Sequence, residues 1–246
     1  LYLGQRVVVW LYDWYAPRYD GIKQYVTEEE QVLVVEPLLG ELGRVSRPLI
    51  LDVATGTGRV PYFLLQDGRL TRRLHGRIIG LEPAGQMLAQ AVANTQPFSA
   101  EGGLDWVQQT AVPLPFPSAT FDALTCLEAL EFLPDESAAV REMVRVLKPG
   151  GKLLILEITK PAGRIGGCFF RLYFRHLYPF LTRLFTGSSD ARDMMRYYWE
   201  TMDACVPPAS VLNALGVAGL AEARRHVVLG LFSEYSAVKP AGPHPA

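Results

Sequence analysis

The sequence predicts an α/β fold: a doubly wound, mostly parallel seven-stranded sheet with a helical cap insertion, built as a single domain over residues 1–246. Three observations point there. Between about residues 47 and 161, short aliphatic runs alternate with stretches of helical periodicity, the pattern of β-α repeats. Two of these runs end in an acid, Asp52 and Glu82, and each leads through small residues into a helix start. The run Leu153-Leu154-Ile155-Leu156 is apolar without alternation, as in a strand buried on both faces.

Residues 1–26 crowd Trp10, Tyr12, Trp14, Tyr15, Tyr19 and Tyr25 around Pro17 and Gly21. Residues 1–44 are expected to form a helical lid, because aromatic rings supply contact area at low entropic cost and tyrosine adds a polar tip. The plainer alternative is a terminal arm packed on the domain. Thr27-Glu28-Glu29-Glu30 has capping-box spacing. It would open a helix over about 27–42, with Val32, Val35, Leu38, Leu39 and Leu42 apolar and Pro37 a kink or break.

The next stretch organises the rest: Pro48-Leu49-Ile50-Leu51-Asp52-Val53-Ala54-Thr55-Gly56-Thr57-Gly58-Arg59. A buried strand ends in an acid and turns sharply into a helix. Glycines are needed where the backbone must reach positive φ or let a ligand approach closely. Backbone N–H groups at the helix start favour a polar or anionic ligand group. Together these parts form a nucleotide-binding corner at the carboxyl edge of a parallel sheet. The dinucleotide fingerprint G-x-G-x-x-G requires a third glycine where Pro61 stands, so a nicotinamide oxidoreductase is disfavoured.

A helix follows over about 59–66, closed near Gly68, and Arg77-Ile78-Ile79-Gly80-Leu81-Glu82 is the second strand. Its terminal acid stands about one β-α-β repeat past Asp52, where a carboxylate can accept both hydroxyls of a ribose. Pro83-Ala84-Gly85-Gln86-Met87 starts the next helix, and residues 104–108 read as a third strand. Val112-Pro113-Leu114-Pro115-Phe116 is an extended loop, since its prolines exclude helix. The fourth strand spans 120–127. A helix capped by Asp135 then buries Val140, Met143, Val144 and Leu147, and Lys148-Pro149-Gly150-Gly151 stops it before a strand over 152–158.

Residues 162–205 interrupt the repeat. Gly163, Gly166 and Gly167 give a flexible entry to an aromatic segment that carries Arg171, Arg175 and Arg183. This insertion is expected to cap the acceptor pocket and to touch an anionic membrane surface, with Phe170, Phe174, Leu177 and Leu181 as its apolar stripe. The alternative is that the stripe packs on the sheet or on a second subunit. Pro207-Pro208 opens a helix to about residue 219, and two closing strands follow at 224–229 and 232–238.

Composition bounds the function. Twenty-four basic residues nearly cancel 25 acidic ones, which argues against nucleic acid and for a small-molecule acceptor. The 3 cysteines are scattered without a CxxC pair, so neither a disulfide framework nor a metal site is expected, and a cytoplasmic location is. No apolar run reaches transmembrane length.

"LDVATGTG", "GLEPAGQML", "PLPFPSATFDAL" and "REMVRVLKPGGKLLILEITKP" stand in order across about residues 47–161. They resemble the successive motifs of class I S-adenosylmethionine-dependent methyltransferases, with a Rossmann-like fold. The closest likeness is to the C-methyltransferases of ubiquinone and menaquinone biosynthesis, and it extends faintly through "YYWETMDACVPP" and "FSEYSAVKP". The resemblance implies S-adenosyl-L-methionine as cofactor, held by Asp52, Ala54, Thr55, Gly56, Thr57, Gly58, Glu82, Pro83, Met87, Thr110, Ala111 and Leu127. It implies a small apolar acceptor such as a prenyl-quinone precursor, with O- or N-methylation of another metabolite, or a non-catalytic binding protein, as alternatives. Two positions depart from the family. Thr110, between Gln109 and Ala111, stands where an Asp usually meets the adenine amino group. Glu128-Ala129-Leu130-Glu131-Phe132 stands where the quinone enzymes carry a segment ending in Arg-Asn.

Methyl transfer from a sulfonium needs positioning and water exclusion more than an enzyme nucleophile. A phenol-like carbon acceptor adds the need for a base. Glu128 and Glu131 at the ligand edge and the histidines His176 and His226 are the candidates. A nucleic-acid methyltransferase would show Asn/Asp-Pro-Pro-aromatic after the fourth strand, and Cys126-Leu127-Glu128-Ala129 stands there instead.

Overall fold

The computed structural model describes residues 9–10, 12–14, 16, 34–133, 135–161, 163–177, 179–180, 199, 205–228 and 232–241. Seven strands form one sheet: β1 (Leu49–Val53), β2 (Arg77–Leu81), β3 (Leu104–Val107), β4 (Phe121–Leu127), β5 (Leu147–Ile158), β6 (Ala221–Val228) and β7 (Phe232–Val238). Their order is β3-β2-β1-β4-β5-β7-β6. The first five are parallel, and β7 runs antiparallel between β5 and β6. The chain moves outward from β1 to β2 and β3, then crosses to β4 on the other side. The carboxyl ends of β1 and β4 therefore flank the switch point where such sheets bind ligands.

Helices cover both faces. Helices α1 (Glu36–Leu42) and α2 (Arg59–Asp67) bury Leu38, Leu39, Leu42, Val60, Phe63 and Leu64 against Ile50, Ile78, Leu154 and Leu156. The opposite face packs α4 (Glu136–Val146) and α6 (Pro208–Val217) against Leu51, Val53, Leu124, Leu153 and Ile155; the described residues also include helices α3 (Gly85–Thr95) and α5 (Arg164–Leu172). Successive residues of β5 thus enter opposite cores, as the unbroken apolar run predicts, each burial worth about 1.5–3 kcal/mol. Asp135 caps α4 by accepting the Ala138 N–H at 2.8 Å, a contact worth about 1 kcal/mol.

The helix boundaries bear on three expectations. Pro37 lies in the first turn of α1, directly after the π-helical Val34 and Val35, a place where its missing N–H costs nothing; residues 27–33 of the expected helix lie outside the described residues. The capping box at Thr27 falls outside the described residues. Leu147 begins β5 instead of ending α4, and Lys148-Pro149-Gly150-Gly151 belong to that strand. Gly150, at φ 78°, bends the backbone so that its N–H reaches Lys239 O at 2.7 Å, while Gly151 O accepts from Lys239 N. The strand is extended by pairing with a residue far along the chain, which local pattern cannot reveal.

The insertion shows which of its faces packs. Phe170 and Phe174 turn inward onto Ile158, Trp199 and Phe232. The stripe predicted for an outer surface is therefore internal along these two residues. Leu177 of that stripe faces outward as expected, together with Phe169, Leu172, Tyr173 and Phe180, which were not part of it, and Phe169 is 69% exposed. Leu181 and Arg183 lie outside the described residues.

Candidate active site

The turn after β1 passes through Ala54 (φ 54°), Gly56 (φ 57°) and Gly58 (φ 78°), three left-handed residues in five. Gly58 is required twice over. A Cβ there would stand 2.9 Å from both Ala91 Cβ and Trp106 Cη2, so α2 can start close to α3 and β3 only without a side chain. Beneath the turn Asp52 is buried, and its carboxylate accepts the Thr55 hydroxyl at 2.5 Å and the Thr125 hydroxyl at 2.6 Å. Asp52 therefore ties the corner to β4 from below.

Glu82 ends β2 and is 7% exposed. Its carboxylate accepts the Gly56 N–H and the Ala84 N–H, both at 2.9 Å. Burial pushes its pKa up to about 7; the two backbone donors pull it back, and the charges of Asp13 and Asp52 add to the rise.

A cleft of about 710 Å³ of empty space, partly open to solvent, lies over these strand ends. Ala54, Gly56, Leu81, Glu82, Pro83, Met87 and Ala111 line one part; Leu127, Glu128, Ala129, Phe132 and Leu133 line another, with Val9 and Tyr12 from the N-terminal segment. Tyr12 meets Phe132 edge-on, ring centroids 5.5 Å apart. Asp13 accepts the Gln86 N–H at 2.7 Å, seating the segment on the first turn of α3. Glu128 has φ 48°, an uncommon conformation for a residue with a side chain and one that recurs at functional sites. The loop bearing Ala111 is held by Arg145, whose guanidinium donates to Leu114 O at 3.0 Å and Phe116 O at 2.8 Å, while Glu142 accepts the Leu114 N–H at 2.8 Å.

Of the residues singled out in the sequence, Ala54, Gly56, Glu82, Pro83, Met87, Ala111, Leu127 and Glu128 meet at this cleft. Asp52, Thr55, Thr57 and Gly58 are buried behind it. Thr110 is half-buried beside Ala111 and donates its hydroxyl to Val112 O at 3.2 Å. Glu131 lies in the short turn Leu130–Phe132. The two histidines stand elsewhere: His226 is exposed on the edge strand β6 and His176 is exposed beyond α5, and neither lines the cleft. Leu81, Ala129 and Leu133 were not singled out. An apolar side chain at a strand tip looks the same in sequence whether it faces a core or a ligand.

Among solved structures, a SAM dependent methyltransferase from Aquifex aeolicus superposes with a TM-score of 0.57 at 18% identity, over 89% of this chain and 97% of that one. The [4+2]-cyclase SpnF superposes at 0.59 and 18%, over 85% and 80%. One fold thus serves more than one chemistry. Sheet order, glycine corner and the acid that follows β2 are those of the S-adenosylmethionine-dependent methyltransferase fold. A model of the ubiE/COQ5 methyltransferase family matches residues 29–230, and the chain belongs to that family. The demethylmenaquinone methyltransferase of Deinococcus radiodurans is 32% identical over 216 residues, 88% of this chain and 86% of that one. Its namesake from Thermus thermophilus is 30% identical over 204 residues, 83% and 88%.

Proposed function

We infer that the protein methylates a ring carbon of a neutral, phenol-like acceptor, a demethylmenaquinone-type prenyl-quinol. The lining of the cleft carries this reading: two carboxylates, Glu82 and Glu128, stand among apolar residues, and no basic side chain is among the described residues of the lining. Such a surface suits a cationic sulfonium and an apolar ring.

The donor set fits the cofactor. Each Glu82 oxygen keeps acceptor capacity beyond its backbone bond, enough for ribose hydroxyls. Leu81, Pro83, Met87 and Ala111 supply apolar surface for a purine, with Thr110 at its rim, and Gly56 opens the backbone of the corner formed with Ala54, Thr55, Thr57 and Gly58. Asp52 serves by holding Thr55. When bound, S-adenosylmethionine supplies a methyl group on a sulfonium sulfur. Glu128 would take the acceptor's hydroxyl proton, which makes the ring carbon nucleophilic toward the methyl group the cofactor would supply. The proton displaced from that carbon would leave to water, and Glu128 would return its own to the ring oxygen, restoring the neutral quinol.

Residues 1–44 serve as the lid, supported by Val9 and Tyr12 in the lining. Residues 162–205 form a cap that meets the cytoplasmic face of a membrane. Exposed Phe169, Leu172, Tyr173, Leu177 and Phe180 support this. No helix among the described residues is long and apolar enough to cross a membrane. Loss of sedimentation with anionic vesicles in a Phe169→Ser, Leu172→Ser variant checks the contact.

The activity is tested with methyl-labelled cofactor and a short-chain demethylmenaquinol, weighing the products. One added methyl on carbon is the expected result. Glu128→Gln should lower kcat by about 100-fold or more while S-adenosylhomocysteine affinity holds. Absence of a methylated quinol, or full activity in Glu128→Gln, overturns the substrate or the base respectively.

A further inference from the structure

We propose that Glu157 is a positioning residue for the acceptor side of the cleft. It ends the apolar run of β5 and is 6% exposed, a buried acid in a strand otherwise committed to two cores. Its Oε1 accepts two consecutive backbone N–H groups, Ala129 at 3.1 Å and Leu130 at 3.0 Å. These are the first donors of the turn Leu130–Phe132, whose N-cap residue Ala129 makes no side-chain cap. The Glu128 N–H is held by the same strand through Leu156 O at 2.6 Å.

Three consecutive amides are thus fastened to Leu156 and Glu157 near the end of β5, and the side chains there form one wall. Glu128, Ala129, Phe132 and Leu133 all line the cleft. The opposite wall, Gly56, Glu82 and Met87, hangs from β1, β2 and α3. Glu157 therefore helps to fix where the acceptor wall stands relative to the cofactor wall. In-line transfer is sensitive to such spacing, and a displacement of about 1 Å can cost on the order of 100-fold in rate.

An amide oxygen can accept the same two bonds, whereas an aliphatic side chain of similar size cannot. Glu157→Gln and Glu157→Leu therefore separate positioning from charge and from bulk. The proposal rests on the acceptor reading above, so its test has one readout that needs no acceptor. In hydrogen exchange on the full chain, the amides of Ala129 and Leu130 should exchange at least tenfold faster in Glu157→Leu and at the wild-type rate in Glu157→Gln. Those of Gly56 and Ala84 should not change. With a short-chain demethylmenaquinol, Glu157→Leu should lose about 100-fold in kcat/KM for the acceptor while S-adenosylhomocysteine affinity stays within about twofold, and Glu157→Gln should retain most activity.

Unchanged exchange at Ala129 and Leu130 overturns the proposal, as does a parallel loss of cofactor affinity in Glu157→Leu, which would mark a general structural role. If wild type is inactive on the quinol, the acceptor reading falls, and the exchange result still decides whether Glu157 places the wall.

Discussion

Glu82 Oε2 accepts the Gly56 N–H at 2.9 Å, so the acid that ends β2 and faces the cleft also braces the glycine corner that ends β1. Ligand contact and local architecture share one carboxylate, and its protonation links them.

The first consequence concerns binding. Hydroxyl donors favour the charged carboxylate, and burial pushes the Glu82 pKa up to about 7 in the free protein. Below that pH, binding must displace a proton. Calorimetry with S-adenosylhomocysteine should show constant affinity above pH about 7 and up to tenfold weaker binding per unit below it. Glu82→Gln should bind about tenfold or more weakly at high pH and lose this dependence. The same pH profile in Glu82→Gln would assign the titration to another group.

The second concerns stability. The folded pKa of about 7 lies above the ordinary value of 4.5, so the native state holds more protons than the unfolded chain between these limits. Stability therefore falls as pH rises through that window and is flat above it. Glu82→Gln removes the charge but offers one acceptor oxygen where Gly56 and Ala84 use two. Its unfolding temperature should therefore lose the fall that wild type shows as pH rises from about 4.5 to about 7. The same fall in Glu82→Gln would assign the titration to another group.

Gly58→Ala combines a left-handed backbone at φ 78° with two contacts at 2.9 Å, to Ala91 and Trp106. The conformational cost is about 1–2 kcal/mol and overpacking adds about 1–3 kcal/mol. Denaturant unfolding should register a loss of about 2–5 kcal/mol with m unchanged. A smaller loss, under about 1 kcal/mol, would show that α2 and α3 can move apart.

Arg145 joins α4 to the loop over the cleft through two carbonyls and Glu142. Arg145→Ala should cost about 1.5–3 kcal/mol. Arg145→Lys should recover less than half of that, because a single ammonium does not reproduce the fork that reaches Leu114 O and Phe116 O together. Full recovery by lysine would reduce the role of Arg145 to its charge.

Much of the site was legible in advance. Ala54, Gly56, Glu82, Met87 and Glu128 announce themselves because each belongs to a short segment in which strand end, turn and helix start follow directly along the chain. Val9 and Tyr12 were visible only as part of an aromatic crowd, and their seat beside Phe132 depends on Asp13 meeting Gln86 across 73 positions. The histidines mislead for the opposite reason. Their chemistry suits a base, and nothing local says that β6 would be the sheet edge, three strands beyond β4.

The sequence by itself determined the seven strands, the acids at their tips and the family, since each is written in residues adjacent along the chain. Only the tertiary structure decided that Asp52 turns inward to Thr55 and Thr125, and that Phe170 and Phe174 pack inward while Phe169 and Leu172 face out. It alone placed Glu157 beneath the turn at Ala129 and Leu130. A periodic pattern states that a face is apolar or that an acid ends a strand. Which partner satisfies that face or that acid is settled by contacts between distant segments, and these exist only once the sheet has brought the strand ends together.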